Sequence, residues 1–477
     1  MTNLVEISGL FATARARSST GERTVYAATC GGLAVCTFIA LTLAAGTYMF
    51  YDRWKNPRGL YGAIVAKDPT FSVVGLGYAT MAGIACALLV PAITSLAVAA
   101  ATAGTRARQN RLAVLRLVGL SSRQIVALSL VDTAVQVVLA TVAGTVLYAA
   151  CIPLWMRLSF LAQPVGLSDL VMPVWLYAAT VTITGLVAFA ATWLGLAQLI
   201  ITPLAVSKKQ LSGPVRWWRP ILFVLCVAGF IGFQQIVGKD AAPGSFTGRM
   251  ALSTAVVIVL VIFAATLVGP WFMQLFGRIL ARVGGPVPLW VGRRIQADPR
   301  QTWGYASGLL FLSLIAGYTT LMPITVSAMD EDTESFSQLT QQDIARGALV
   351  AIAFSFILAA VTVYLTQLDD CYQRADQSVA LMKLGAPPRY QLSVTWLAVM
   401  GSVTVATVTG FVLGILAAWP MWAILRDQGL TDEKLPLKIA LAVVIVLAGL
   451  AVTALAVSNT NRLRLRLARR MVHTRNR

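Results

Sequence analysis

Histidine is nearly missing from this chain, charge is scarce, and the cysteines never pair at C-x-x-C spacing. Each shortage excludes something. The one histidine, His473, sits in a basic tail, which disfavours histidine-based metal or nucleophilic chemistry. Charged residues make up 12% of the chain, against about 25% in soluble domains, so an ordinary soluble protein is excluded. Cys30, Cys36, Cys86, Cys151, Cys226 and Cys371 are scattered, mostly inside apolar runs; they read as inert thiols and imply no disulfide framework or metal site. No G-x-x-x-x-G-K-[ST] phosphate loop occurs, so the chain does not hydrolyse ATP by itself, and an enzyme reading is disfavoured.

Long apolar runs are what the chain has instead. Runs longer than about 18 residues can cross a hydrocarbon core of about 30 Å. Only helices or closed barrels can do so, because lipid offers backbone groups no partner. These runs are continuous and do not alternate, so helices are expected. Ten spans are counted, roughly 26–51, 71–103, 125–154, 171–201, 220–237, 249–276, 302–328, 347–367, 390–419 and 439–457. The first is too long for a cleaved signal peptide, whose apolar core reaches about 15 residues. An even count puts both termini on one side. With the N-terminus inside, about 27 of the 38 basic residues face the cytoplasm and about 11 face outward. The net charge of +19 is then mostly a topology signal, with attraction to anionic lipid heads added, and nucleic acid is not the expected partner.

The N-terminal segment spaces Leu4, Ile7, Leu10, Phe11 and Ala14 as an interfacial helix would. The tail "NRLRLRLARR" alternates as a strand would. A lone strand has no sheet to join there, and a basic helical extension at the lipid surface is the better expectation.

One stretch between spans is too basic for lipid and too apolar for a solvent loop: "RQNRLAVLRLVGLSSRQI", Arg108 to Ile125. It recurs. "AVLRLVGLSSRQ" (113–124) aligns with "VALMKLGAPPRY" (379–390), keeping Leu115/Leu381, Gly119/Gly385 and Arg123/Arg389. At the same offset "TVAGTVLY" (141–148) aligns with "TVTGFVLG" (407–414), so Gly144 pairs with Gly410. Six spans separate equivalents, so both halves point the same way. A pseudo-twofold axis along the membrane normal follows, with spans five and six inserted. In each copy a short helix ends at Gly119 or Gly385, where glycine takes a left-handed conformation cheaply. The next span opens on Ser121 with Gln124 in one copy and on Pro387–Pro388 in the other. Leu112, Leu115 and Gly119 share one face while Val114 and Leu117 lie elsewhere. Two readings stand: a helix resting on lipid, or one touching the bundle above and a partner below.

"RLAVLRLVGLSSRQIVALSLVD" before a glycine-punctuated span resembles the FtsX-like permease family, the MacB-type (type VII) ABC transporter permeases. "TPLAVSK" (202–208) resembles the ending after that family's fourth span, and "GRRIQADPRQT" (292–302) the basic lead-in to a repeat. Asp132 occupies the family's acidic position in the second turn of a span; Ala398 replaces it in the other half. Ten spans in one chain resemble the BceB-type layout. The resemblance implies an all-α polytopic membrane protein. It has an N-terminal interfacial helix (1–24), a first FtsX-like repeat (25–207), an inserted helix pair (208–285), and a second repeat with the basic tail (286–477). It implies a permease in a bacterial cytoplasmic membrane, seated on two copies of a cytoplasmic ABC ATPase that bind the ATP and Mg; this chain would bind no cofactor. ATPase coupling would fall to Arg108, Arg111, Leu112, Leu115, Arg116 and Gly119, and to Val379, Leu381, Met382, Lys383 and Gly385. The apolar residues would supply grip and the arginines would pair with acidic groups at the rim. The work implied is export, or extraction from the outer leaflet, of a hydrophobic or amphipathic substrate such as an antimicrobial peptide, a drug or a lipid. A non-transporting relay of ATPase motion and an ion-coupled secondary transporter are the rivals. The family's large extracytoplasmic domain is missing. Its two possible places, Asp52–Thr70 and Ser327–Arg346, hold only about twenty residues each, which favours a small or lipophilic substrate.

Two further sites are candidates. Asp132, about 10 Å into its span with Gln136 one turn on, reads either as a structural hydrogen-bonding group or as a gating or proton-linked one. Asp330, Glu331, Asp332 and Glu334, with Asp343 nearby, form an expected acidic outer loop. It lacks the ligand spacing of a calcium loop. It reads as solvated, or as an outer gate closing against the basic, aromatic "YDRWKNPRGLYG".

Overall fold

The computed structural model of the protein describes residues 20–107, 122–201, 218–225, 228–229, 232, 266–321, 331–373, 380, 384–385, 387–427, 440, 443–444 and 446–458. The described residues are almost entirely helical. Helix α1 spans Thr20–Lys55, α2 Gly59–Lys67, α3 Ser72–Ala107 and α4 Ser122–Trp155. A two-stranded hairpin follows, β1 (Ser159–Phe160) pairing with β2 (Gln163–Pro164), and then α5 (Leu167–Leu170) and α6 (Val174–Ile201). Residues 266–282 form α7. Then come α8 (Pro286–Ala297), α9 (Pro299–Leu321), α10 (Glu331–Gln373), α11 (Pro388–Asp427) and α12 (Val446–Ser458).

Among the described residues six segments are long and apolar enough to cross a membrane: Val25–Lys67, Val74–Ala103, Ala127–Trp155, Val174–Trp193, Leu349–Asp369 and Arg389–Leu416. The chain is therefore an all-α, multi-pass membrane protein. Threonine enters these helices without exposing a polar group to lipid. Thr37, Thr180, Thr184, Thr362 and Thr407 each donate their hydroxyl to the carbonyl four residues back.

The expected acidic loop is a correction. Glu331 opens a 43-residue helix, so Glu331, Asp332, Glu334 and Asp343 all lie on α10. The segment is rich in Glu, Gln and Ala, and it has no proline. Glu331, Asp332 and Glu334 sit in its first turn, where the helix dipole favours negative charge.

Packing falls into two groups. Helix α1 packs on α3, α4 and α6, while α9 packs on α10 and, most extensively, on α11. Between the groups α3 meets α10, α1 leans on α10, α9 leans on α3, and strand β1 touches α10. Small residues permit the close crossings, as expected where lipid removes the hydrophobic drive between helices. Gly304 and Gly308 of α9 face Ser95 and Ala92 of α3, and Ser95 Oγ donates to the Gly304 carbonyl at 2.6 Å. Gly144 of α4 abuts the backbone of α1, where a Cβ would lie 2.8 Å from the Ala34 carbonyl. Gly410 of α11 abuts α9 in the same way, at the Leu310 carbonyl.

Candidate functional site

Two ends of the bundle carry the residues of interest. The first is the turn into α11. The Leu384 N–H donates to the Ala380 carbonyl at 3.0 Å, closing a helical turn. Gly385 follows at φ +83°, the left-handed conformation expected of it. Pro388 then opens α11, and the Tyr390 N–H reaches back to the Pro387 carbonyl at 3.0 Å. The sharp turn at Gly385 and the long helix after it are as the sequence predicts; the short helix expected ahead of them lies mostly outside the described residues. Leu384 stands 83% exposed on this turn. Tyr390 Oη ties the turn to α8 by donating to the Pro286 carbonyl at 3.1 Å. Of the other proposed coupling residues, Arg108, Arg111, Leu112, Leu115, Arg116, Gly119, Val379, Leu381, Met382 and Lys383 lie outside the described residues. So does Ser121; α4 begins one residue later.

Within the bundle, Gln136 is buried on α4 and Asp132, one turn earlier, is partly buried. Thr133, between them, stands 3.4 Å from the Thr192 hydroxyl of α6. This contact joins α4 to α6.

The second end is the one to which α1 and α4 run and from which α10 departs. Here the hairpin is the centre. Its two turn residues, Leu161 and Ala162, have φ +53° and +57°, the left-handed pair of a tight hairpin turn that normally takes Asn or Gly. Each non-glycine residue so placed costs about 1–2 kcal/mol. Burying the Leu161 side chain returns about 1.5–3 kcal/mol. It is 1% exposed, in a cluster with Tyr61, Phe50, Ile64, Val65, Val74 and Tyr78. Ala162 has no comparable offset.

Charge holds the hairpin from both flanks. Arg53, in the last turn of α1 and 5% exposed, donates Nη1 to the Phe160 carbonyl at 2.6 Å and Nη2 to the Pro164 carbonyl at 3.0 Å. Its Nη2 also pairs with Asp169 Oδ2 at 2.7 Å. Asp169 in turn accepts the Gly166 N–H at 3.1 Å, which starts α5. On the other flank Asp343 of α10, 3% exposed, accepts the Leu161 N–H at 2.7 Å and the Tyr78 hydroxyl at 3.2 Å. Arg346, one turn on, lies 3.4 Å from Asp343 and donates to the Ser159 carbonyl at 3.2 Å and its hydroxyl at 2.8 Å. Two cations and two anions balance, which is what makes their burial tolerable.

The two carboxyls titrate in opposite senses. Burial alone would raise Asp169, but the bonds from Arg53 and Gly166 and the charges of Arg53 and Arg58 hold it below the ordinary carboxylate range. Burial pushes Asp343 above that range, although Leu161, Tyr78, Arg346 and Arg53 oppose it.

From the basic, aromatic "YDRWKNPRGLYG" stretch, Arg53 pairs with Asp169. Asp330 lies outside the described residues, as do the side chains of Glu331, Asp332 and Glu334. Sequence reasoning missed Asp169 and Arg346. The available signal was Asp169, the single acid in a connection between two spans whose one other charge is Arg157.

Three comparisons give no match: no family model, no curated protein and no solved structure is similar to the chain.

Proposed function

We propose that the chain is the permease subunit of an FtsX-like, type VII ABC transporter. It would have ten spans, in two parallel four-helix repeats with an inserted pair. Its N- and C-termini lie in the cytoplasm of a bacterial cell and the hairpin end faces outward. Two copies of a separate ABC ATPase bind ATP and Mg, seat on the inward turns and drive the spans. The substrate is hydrophobic or amphipathic, taken from the outer leaflet or exported.

The observation that carries this reading is the turn at Leu384–Gly385. A leucine 83% exposed, on a glycine-locked corner directly ahead of a 40-residue helix, is an apolar group with no covering partner among the described residues, as a docking anchor would be. It lies at the far end of α10 from the hairpin, since α10 carries the chain about 45 Å from Asp343 to Gln373 at 1.5 Å per residue. The reciprocal packing of α1 on α10 and α9 on α3, and the matched crossings of Gly144 and Gly410, support two halves related by a twofold axis.

The test is purification of the chain with the products of its neighbouring genes. An ATPase is expected to copurify. In lipid discs its turnover is expected to rise with a lipophilic or cationic amphipathic compound, and movement of that compound separates transport from relay. Leu384→Asp is expected to weaken ATPase binding by about tenfold or more while leaving thermal unfolding unchanged. A chain that purifies alone under all conditions contradicts the proposal.

A further inference from the structure

We infer that the 158–165 hairpin is a latch between the two helix groups, fixed to the first and releasable from the second. Its attachments differ in kind. To the first group it is held by a buried side chain, Leu161, and by the Arg53 guanidinium, which grips the Phe160 and Pro164 carbonyls while paired to Asp169. Gln163 Nε2 adds a bond to the Arg58 carbonyl. Among the described residues it is held to the second group by polar contacts on α10: Leu161 N–H to Asp343, and Ser159 to Arg346. No apolar cluster joins the hairpin to α10 among the described residues; those holding Phe160 and Leu161 draw on α1, α2, α3, α4 and the segment 158–170.

When polar contacts open, their groups take hydrogen bonds from water in exchange, whereas parting the apolar anchor exposes apolar surface with no such return. The hairpin thus parts from α10 before it parts from α1. The left-handed Leu161–Ala162 turn is held on the first-group side, by the Leu161 cluster and the Arg53 bonds to the Phe160 and Pro164 carbonyls. Asp343 also accepts the Tyr78 hydroxyl of α3, so the hairpin meets α10 at the same carboxylate that ties α10 to α3, and these are the helices that meet across the two groups. The latch stands on the geometry of the hairpin end and is independent of which ATPase, if any, engages the other end.

The experiment is spin-label distance measurement on the whole chain in lipid discs, with label-reactive native cysteines replaced. One pair is Pro164→Cys with Gly347→Cys, across the latch; the other is Lys55→Cys with Pro164→Cys, within the first group. All three positions are exposed, and a side chain at Gly347 meets nothing within 4 Å. Arg346→Ala is expected to add a longer-distance population to the 164–347 pair and to leave 55–164 unchanged. Ser159→Ala removes one hydroxyl contact and reads the same way to a smaller degree, should Arg346→Ala fail to fold. The inference is overturned if 164–347 keeps its native distribution in both variants, or if 55–164 lengthens instead. An ATPase that never copurifies would sink the proposed function and leave these distances as expected.

Discussion

Arg53 illustrates how much one side chain can organise. It closes α1, is nearly sealed from water, and gathers two carbonyls and a carboxylate. Removing one member of a buried pair leaves the other charge without compensation, at a cost of about 3–5 kcal/mol. Arg53→Leu is therefore expected to lower the unfolding temperature markedly in detergent, by far more than Arg58→Leu, whose pair with Asp52 is exposed and 3.9 Å long. The two acids give a pH signature. Asp343 is raised in the folded protein, so its pH-dependent contribution is full in acid, below the ordinary carboxylate range, and fades as pH climbs through its raised value. Asp169 is lowered, so its contribution is present above the ordinary value and fades as pH falls through the lowered one. Melting curves against pH should show Asp343→Asn losing the acid-side term and Asp169→Asn losing the neutral-side term. Equal and parallel curves for both variants would remove this account. The groups that face Asp343 are Tyr78, Arg346 and, by its charge, Arg53.

At the scale of elements, glycine decides where helices meet. Gly144 and Gly410 sit 266 residues apart, and each lets one helix lie against the backbone of another. A methyl at either place meets a carbonyl that cannot swing aside. Gly144→Ala and Gly410→Ala are each expected to destabilise by about 1–3 kcal/mol, measured by thermal unfolding in the same detergent. Gly83→Ala on α3, with nothing within 4 Å, is expected to be neutral or slightly stabilising. Similar losses at 144 and 410 would fit two related halves; tolerance at both would argue against close crossings there. Most helices were legible in the sequence because a span needs an apolar run, and the runs at 26–51, 125–154 and 390–419 fall inside α1, α4 and α11. The corner at Gly385 was legible because one residue type fits it. The hairpin was not. Its bonds join Arg53 to Phe160 across 107 residues and Arg346 to Ser159 across 187, and no local periodicity encodes such pairings. Its turn carries Leu and Ala where Asn-Gly would have announced it. The acidic stretch before span eight misled because polarity alone does not separate a loop from a solvated helical extension.

The whole molecule joins a charged, strained assembly at one end to a bare leucine corner at the other, through helices that cross on small residues. That arrangement suits a body pushed from one side and responding on the other. Its central claim is that an ATPase seats on the Leu384–Gly385 corner. The most direct measurement is ATP turnover of the copurified ATPase, in lipid discs, with the native chain and with Leu384→Asp. The account predicts that the native chain brings down an ATPase whose turnover depends on it, and that Leu384→Asp, folded and equally stable, loses about tenfold or more of that binding and the turnover with it. An ATPase that binds and turns over equally with Leu384→Asp, or no ATPase at all, would contradict it.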